Sequence, residues 1–295
     1  MKKIYIIFPL LFLLFAACKK DGKSPSKPDP DNDGKKYEVN FNIGIDADEQ
    51  NLQRSSKIKK LNNTPANLAD LATFLAYYVF NSDDKLVTSL IQTSTTPNFG
   101  KITDGFAAGT YTVVLVATKN KPTEYDSKHI VALGSDTFYQ KFELTVTAST
   151  VTQNINLQRV NGQLEVKFLD AIDDETLSIQ YSLENDYSLL LNNGTPDISK
   201  PYRRSETKNI APSLFGITNY TYKTYVTNTV KPIKVVVTVS NKIFGTYGKV
   251  IDSVMIYPNT RTILSGNVFK GAYGEQGFTV TYNELYGNDT TVVEY

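Results

Sequence analysis

Residue types that commonly perform chemistry are scarce in this chain of 295 residues, which has one cysteine, Cys18, and one histidine, His129. A single thiol excludes an internal disulfide and a four-thiolate zinc site, and a single imidazole excludes a metal site built from several histidines. A Ser-His-Asp arrangement would depend on His129 alone, and the sequence around it, DSKHIVAL, has no nucleophile-elbow pattern G-x-S-x-G. We therefore expect no enzyme activity and no cofactor, and a solvent-facing or strand-edge position for His129.

Acidic residues form three patterns that also suggest chemistry. The pairs at 83–84 and 173–174 occur in turn-like sequence, whereas a glycosidase needs two carboxylates that approach in space, so we expect turn formers. The segment DPDNDG at 29–34 matches the start of a calcium loop, with oxygen donors at alternate positions. The twelfth position, however, holds Asn40 where a bidentate glutamate should close the shell. A solvated segment is the favoured interpretation, and no metal site is predicted.

The start of the chain has the pattern of an export signal. Two lysines precede residues 4–17, which are almost wholly apolar and end in two alanines directly before Cys18. This run is about two-thirds of the roughly 20 residues that span a bilayer, and Pro9 interrupts it, which favours a removable signal. The ending AAC resembles the lipobox of bacterial lipoproteins, in which the cysteine sulfur receives a diacylglycerol and the chain is cut just before it. An ordinary secretory signal with a chance cysteine is the alternative.

Lipidation would turn the start of the mature chain into an anchor followed by a tether. Two or three acyl chains hold a protein on a membrane almost permanently, whereas a single chain holds it marginally. Lys19 stands where an aspartate, in lipoproteins, favours inner-membrane retention, so we expect an outer-membrane location. The residues after the cysteine, KKDGKSPSKPDPDNDGKK, include no large apolar side chain and predict disorder. The interpretation is a signal peptide over 1–17, a lipidated Cys18 and a disordered tether over 18–36.

Composition beyond the tether indicates an all-β chain of near-neutral charge. Removal of the signal would leave 29 basic residues (31 minus the two lysines of the signal) against 30 acidic ones. Such a balance offers no electrostatic basis for binding nucleic acid. The 19 tyrosines and 15 phenylalanines favour strands, because aromatic and β-branched residues suit sheets.

Alternating and β-branched segments recur along residues 37–295. The clearest is YEVNFNIGI at 37–45, in which every second residue is aromatic or aliphatic. FLAYYVF and KLVTSLIQT flank a turn at 81–84 and predict a hairpin. Only residues 64–72, TPANLADLA, predict a helix. Further strands are predicted in ten segments: 107–118, 136–146, 151–157, 162–168, 176–183, 221–227, 232–239, 248–257, 260–269 and 277–285.

Many short strands separated by turns predict β-sandwiches rather than a parallel sheet. The polar stretch QRVNG at 158–162 separates one strand from the next and marks the best candidate boundary. Residues 37–295 are also numerous enough for two domains. We therefore predict two β-sandwich domains in tandem, 37–158 and 159–295.

The order of these strands resembles the fimbrillin-type pilus proteins of Bacteroidota, most closely their lipidated anchor and minor subunits. The resemblance rests on LAYYVFNSDDKLV, GFAAGTYTVVLVAT, DTFYQKFELTV and NINLQRVNGQLEVKF, in that order, and on the later NTRTILSGNVF. Gly109-Thr110-Tyr111 stands in the position of the family's P-G-x-Y strand. Leu157-Gln158-Arg159 stands where the family's first domain ends in L-x-R.

The resemblance implies two transthyretin-like β-sandwiches and a structural role as a surface-exposed fimbrial anchor or accessory subunit in pilus assembly and cell adhesion. Its partners would be fimbrial subunits, joined by strand exchange at an open sheet edge, and the membrane, joined by the lipid. The segment NDTTVVEY could supply a donor strand through Val292 and Val293, although the last strand of the second domain is the favoured alternative. Polymerising members are matured by an arginine-specific cut. Arg54, in the polar NLQRSSK, is the candidate position, and an uncut chain fits the anchor role.

The alternative function is glycan capture by a surface lipoprotein of a polysaccharide-uptake system, with host or microbial surface glycans or proteins as ligands. Such sites usually stack sugar rings on exposed aromatic side chains. Tyrosines cluster at 220–225 and 282–286, but in a strand Tyr220 and Tyr222 share a face from which Tyr225 points away. The absence of tryptophan also counts against this alternative.

Overall fold

The computed structural model describes residues 34–45, 67–126, 129–131, 134–269, 277–283 and 290–294. Cys18, Arg54 and the aspartates of the calcium-like segment lie outside these residues. One α-helix, α1 (Leu68–Leu71), falls within the segment predicted to be helical, and the side chain of Asn67 caps it by accepting a hydrogen bond from Ala69 N. No helix in the described part of the chain is long and apolar enough to cross a bilayer.

The rest of the regular structure is almost entirely β, as the sequence predicts. Nine strands precede residue 160: β1 (Tyr37–Ile45), β2 (Phe74–Phe80), β3 (Leu86–Thr93), β4 (Lys101–Phe106), β5 (Gly109–Thr118), β6 (Thr123–Asp126), β7 (His129–Val131), β8 (Thr137–Val146) and β9 (Val151–Arg159). Ten strands follow in the described residues: β10 (Gly162–Phe168), β11 (Thr176–Asp186), β12 (Leu189–Leu190), β13 (Tyr202–Asn209), β14 (Tyr220–Val226), β15 (Ile233–Asn241), β16 (Gly245–Val254), β17 (Arg261–Gly266), β18 (Thr279–Asn283) and β19 (Thr290–Glu294).

The first sandwich is a seven-stranded sheet in the order β3-β2-β5-β8-β9-β1-β4, folded over on itself. The sheet bends over at β9, which runs parallel to β1 over Val151–Leu157 and pairs with β8 only through Gln158 and Arg159. The alternation of β1 buries every second residue, as its sequence predicts. Inward-facing residues of β2, β5 and β8 complete this core.

The second sandwich packs a sheet of order β14-β10-β17-β18-β19 against a sheet of order β13-β11-β15-β16. Inward-facing residues of β15 alternate with partly exposed ones, which is the pattern of a sheet with one face on the core. Phe168 of β10 lies at the centre of this core, with the ring of Phe269 at 5.3 Å and the ring of Tyr181 at 6.2 Å. The strands of β10 and β17 run parallel, as those of β1 and β9 do in the first sandwich.

A small sheet of order β12-β7-β6 joins the two sandwiches, because β7 comes from the first half of the chain and β12 from the second. Leu189 pairs with Ile130, and Leu190 pairs with His129. The sheet covers the face of β2, β5 and β8 that points away from the first core. A cluster of apolar residues is buried there: Ala76, Tyr78, Val114, Val116, Ile130, Tyr139, Leu189 and Leu191. The sandwiches therefore contact each other directly and are not only linked in sequence.

A buried ion pair lies at the same junction. Arg159, at the end of β9, donates from Nε to Asp136 Oδ1 at 2.7 Å and from Nη2 to Asp136 Oδ2 at 3.0 Å. Its Nη1 donates to Asn259 Oδ1 of the second sandwich at 2.6 Å. Asn161, in the two-residue connection, donates to the carbonyl of Ser135 at 2.7 Å. Charge-assisted hydrogen bonds in a bidentate geometry are the strong ones, so this pair holds the connection in one orientation.

Candidate functional site

His129 lies against a carboxylate and not at the surface. It is buried in β7, the central strand of the small sheet, so the expectation of a solvent-facing or strand-edge position is wrong. Its Nε2 lies 2.9 Å from Asp197 Oδ2, and Ser199 Oγ donates to Asp197 Oδ1 at 2.6 Å. Hydrogen bonds from Ser199, with His129 as a further partner, hold the pKa of Asp197 below its ordinary value.

The order of these three groups does not suit nucleophilic catalysis. A catalytic triad needs the imidazole to take the proton of the hydroxyl, with the carboxylate behind the imidazole. Here the carboxylate of Asp197 lies between Ser199 and His129, and the hydroxyl donates to it directly. Because His129 belongs to the first half of the chain and Asp197 to the second, the contact connects the two sandwiches.

Two of the tyrosines considered for sugar stacking, Tyr220 and Tyr222, pack into the second core, whereas the side chains of Tyr282 and Tyr286 lie outside the described part of the chain. Tyr222 is buried, and its ring stacks on that of Tyr181 with 3.8 Å between centroids. Tyr220 is half-buried and lies parallel to Phe168 at 6.5 Å. Tyr225 lies on the opposite face of β14, as predicted, and burial, with Asp136 nearby, raises its pKa to about 12. The described rings of this cluster therefore form no exposed platform.

Both acidic pairs form turns, as predicted. Asp83 donates its backbone N–H to Asn81 Oδ1 at 3.0 Å, and Asp84 takes the left-handed conformation, with φ of 56°. Asp173 Oδ1 accepts the backbone N–H of Glu175 at 2.7 Å. Within the described residues, no group of three or more His, Cys, Asp or Glu side chains could hold a metal ion.

Unpaired sheet edges are the feature of the described residues best suited to binding another chain. An edge strand presents backbone N–H and C=O groups to which a further strand can pair. In the part of the chain that the structure describes, the two sandwiches end in six such strands: β3, β4, β13, β14, β16 and β19. Five of them include charged residues, which usually protect an edge against pairing: Lys101 and Asp104, Arg203, Lys223, Lys249 and Glu294. β3, with the sequence LVTSLIQT, includes none.

β3 is also apolar for an exposed strand. Four large side chains are between 40% and 51% exposed: Leu86, Val87, Leu90 and Ile91. Its pairing with β2 is regular at the Thr93 end and is interrupted by a bulge at Val87. The buried Gln92 closes the first sandwich at that regular end, because it donates to the carbonyl of Lys101 at 2.8 Å and accepts the N–H of Gly100 at 3.0 Å.

Val292 and Val293 belong to β19, the outermost strand of its sheet. They pair in antiparallel register with Thr281 and Val280 of β18. The segment therefore forms the last described strand of the second sandwich, which the sequence favoured. Because it has a partner strand on one side only, it can leave its sheet with fewer broken backbone hydrogen bonds than an interior strand.

No protein-family profile matches the chain, and no curated protein matches it in sequence. Solved structures of Bacteroidota proteins do match its fold. A proposed polysaccharide-binding protein of Bacteroides thetaiotaomicron has a TM-score of 0.51 and 11% identity, over 88% of this chain and 98% of that protein. The fimbrial anchor protein Mfa2 of Porphyromonas gingivalis has a TM-score of 0.48 and 11% identity, over 84% of this chain and 97% of Mfa2. A fimbrial assembly protein of Parabacteroides distasonis has a TM-score of 0.46 and 12% identity, over 88% and 99%. The TM-score of 0.51 shows that the Bacteroides thetaiotaomicron protein and this chain share a fold.

Proposed function

We propose that this chain is a surface lipoprotein of an outer membrane that serves as a fimbrial anchor or accessory subunit and acts in adhesion. The observation that carries the proposal is the position of β19, an edge strand that pairs with β18 and with no other described strand. A strand of this kind can be donated to the sheet of a neighbouring subunit, whose backbone groups it satisfies. The proposed function is binding to other proteins or surfaces and not catalysis, in keeping with the turn-forming roles of the acidic pairs.

The anchor is supported by the sequence. AAC at 16–18 ends an apolar run, and a lipid on Cys18 would tether the sandwiches through a polar segment. A chain left uncut at Arg54 would keep both the lipid and β1, which fills the first sandwich between β9 and β4. A cut there would remove both together.

Mass spectrometry of the chain isolated from its own cells tests the anchor. A first residue of Cys18 with acyl chains attached supports it, and a Cys18→Ser variant should be lost from the outer-membrane fraction. A chain that begins at Ser55 would instead indicate a cleaved stalk subunit. Retention of the Cys18→Ser variant at the level of the parent would contradict the lipid anchor.

Val292→Pro tests strand donation, because proline has no backbone N–H to donate to a partner strand and is poorly tolerated wherever a strand has neighbours on both sides. Val292→Thr is the matched control, since it keeps the N–H and the branched shape. We expect cells with the proline variant to display fewer fimbriae by electron microscopy, with the variant itself retained at the membrane, and cells with the threonine variant to resemble the parent. Equal numbers in all three strains would refute donation. Ligand-specific hits on a glycan array, in the same chain, would support glycan capture instead.

A further inference from the structure

Over Thr88–Gln92, the edge strand β3 has no proline and no bulge, and no described strand pairs with its outer side. It includes no charge, and residues 86–100 as a whole include none. The bulge at Val87 interrupts pairing at one end, and at the other end Thr96 bonds both the N–H and the C=O of Thr93, at 3.0 and 2.7 Å. Between them, Thr88–Gln92 form a regular strand whose outer edge no described strand covers. Monomeric proteins seldom leave such a strand open, because it is a template for pairing with another chain.

We propose that β3 pairs in antiparallel fashion with β3 of a second copy of this chain, around a two-fold axis at Leu90. Side chains alternate between the faces of a strand, and residues opposite each other in an antiparallel pair point to the same face. A two-fold axis perpendicular to the sheet must therefore place one residue opposite its own copy, as Leu90 is here, and cannot fall midway between two consecutive residues of a strand. An axis at Leu90 uses the regular segment Thr88–Gln92 of each copy and leaves both bulges outside the pairing. The inference rests on β3 alone and is independent of the proposed function.

Self-complementarity within this register favours a second copy over an unrelated strand. The two Leu90 side chains meet on the face that Tyr77 also occupies, at the edge of the first core. On the other face, Ile91 of each copy lies opposite Ser89 of its partner, so a large side chain meets a small one at both symmetric positions. Thr88 lies opposite Gln92, and no pair brings two bulky residues together on the outer face.

The charges that flank β3 fit the same arrangement. The exposed turn before β3 includes Asp83, Asp84 and Lys85, so two carboxylates outweigh one ammonium group, and the first charged residue after β3 is Lys101, close to Gln92. With the axis at Leu90, the acidic turn of one copy lies at the Lys101 end of the other copy. The aspartates of the two turns are separated by about 40 Å, at roughly 3.4 Å per residue, so the carboxylates of one copy do not oppose those of the other. The same acidic turn disfavours an anionic membrane surface as the occupant.

The contact is small, and this sets the expected strength. A single pair of edge strands buries less than the roughly 1,600 Å² of a standard stable interface, so the dimer should be weak in dilute solution. The dimer will form to a greater extent wherever copies of the chain are held close together at high local concentration.

Disulfide cross-linking of the full chain tests the register. In Leu90→Cys the two new cysteines would face each other at about 4.5–5.5 Å between Cα atoms, within the range that a disulfide accepts. In Thr88→Cys, the matched control on the same strand, they would lie about 14 Å apart, which is too far. The same oxidation of the parent chain measures how much covalent dimer forms through Cys18 alone. We expect Leu90→Cys to form covalent dimers under mild oxidation at least about tenfold faster than Thr88→Cys.

A second substitution shows whether pairing causes the cross-link. Ile91→Lys, added to Leu90→Cys, should slow dimer formation about tenfold, because an edge lysine opposes strand pairing and the two lysines would be diagonal neighbours. Ile243→Lys, on the exposed tip between β15 and β16, should have no effect. Sedimentation velocity of the parent and of the single variant Ile91→Lys should show concentration-dependent association only in the parent. Equal cross-linking rates for Leu90→Cys and Thr88→Cys, or no effect of Ile91→Lys, would overturn the proposal. Cross-linking of Leu90→Cys to a different protein would overturn it in favour of an extended strand from that partner.

Discussion

Replacement of Arg159 by methionine is the most direct test of how the two sandwiches are joined. In the parent, the guanidinium donates to both oxygens of Asp136, at 2.7 and 3.0 Å. The side chains of Arg159 and Asp136 are 0% and 2% exposed. The substitution leaves the carboxylate of Asp136 buried without its charged partner, and also removes the hydrogen bond to Asn259.

The expected loss of stability is large. Breaking a buried ion pair by removal of one partner costs about 3–5 kcal/mol, because the remaining charge is left desolvated and unpaired. For a protein of this size that corresponds to a melting temperature lower by roughly 10 °C. Arg203→Met is the matched control, since the Nε of Arg203 lies 3.9 Å from Glu184 Oε1 and its side chain is 58% exposed. An exposed pair of this kind contributes at most about 1 kcal/mol.

Equilibrium urea unfolding, followed by circular dichroism or tyrosine fluorescence in this tryptophan-free chain, measures both variants. The double variant Arg159→Met/Asp136→Leu should recover part of the loss, because it removes the unpaired charge together with its partner. A cost for Arg159→Met within about 0.5 kcal/mol of that for Arg203→Met would refute the assignment of a buried, stabilising pair at the junction.

Two further predictions concern the same junction. Gly194, with φ of +68°, lies against the ring of Tyr139, which an added Cβ would overlap, whereas Gly216, with φ of +75°, has open space around it. We expect Gly216→Ala to cost about 1 kcal/mol from backbone strain and Gly194→Ala to cost about 1–3 kcal/mol more, measured by thermal unfolding. Equal costs would contradict the close contact. The pKa of Asp197 is lowered by hydrogen bonds from Ser199. A carboxyl group whose pKa is lowered in the folded state stabilises the fold at pH values above its ordinary pKa of about 4. This contribution is lost as the pH falls through the folded-state pKa. The parent should therefore lose more stability than Asp197→Asn between pH 5 and pH 2, and parallel pH profiles would contradict the assigned hydrogen bonds.

Local sequence patterns predicted the strands that bury a face. YEVNFNIGI became β1, and the segments on either side of residues 81–84 became the hairpin β2–β3, because alternation and β-branching report on burial directly. Two of the strands that the sequence did not predict, β4 with KITDGF and β13 with YRRSETKN, are hydrophilic edges. Such strands form because a neighbouring strand offers backbone hydrogen bonds, and their side chains include little apolar pattern to reveal them.

The prediction of a solvent-facing or strand-edge His129 was wrong for a related reason. Its carboxylate partner, Asp197, lies 68 residues away in sequence, and neither residue has a local pattern that announces the pair. Only the meeting of β7 with β12 brings them together, and that small sheet is built from three strands of two to four residues. The pairing of Arg159 with Asp136 is likewise a product of the folded junction.

The sequence by itself determined the all-β character, the hairpin and the alternation of the core strands, because these depend on side chains at fixed short spacings. It also provides the export pattern that ends at Cys18, which remains a prediction. The tertiary structure alone decided which strands end the sheets, which of those edges lacks charge, and how the two sandwiches meet. Those features depend on register and on contacts between residues distant in sequence, which are set by backbone hydrogen bonding and packing and not by local preference.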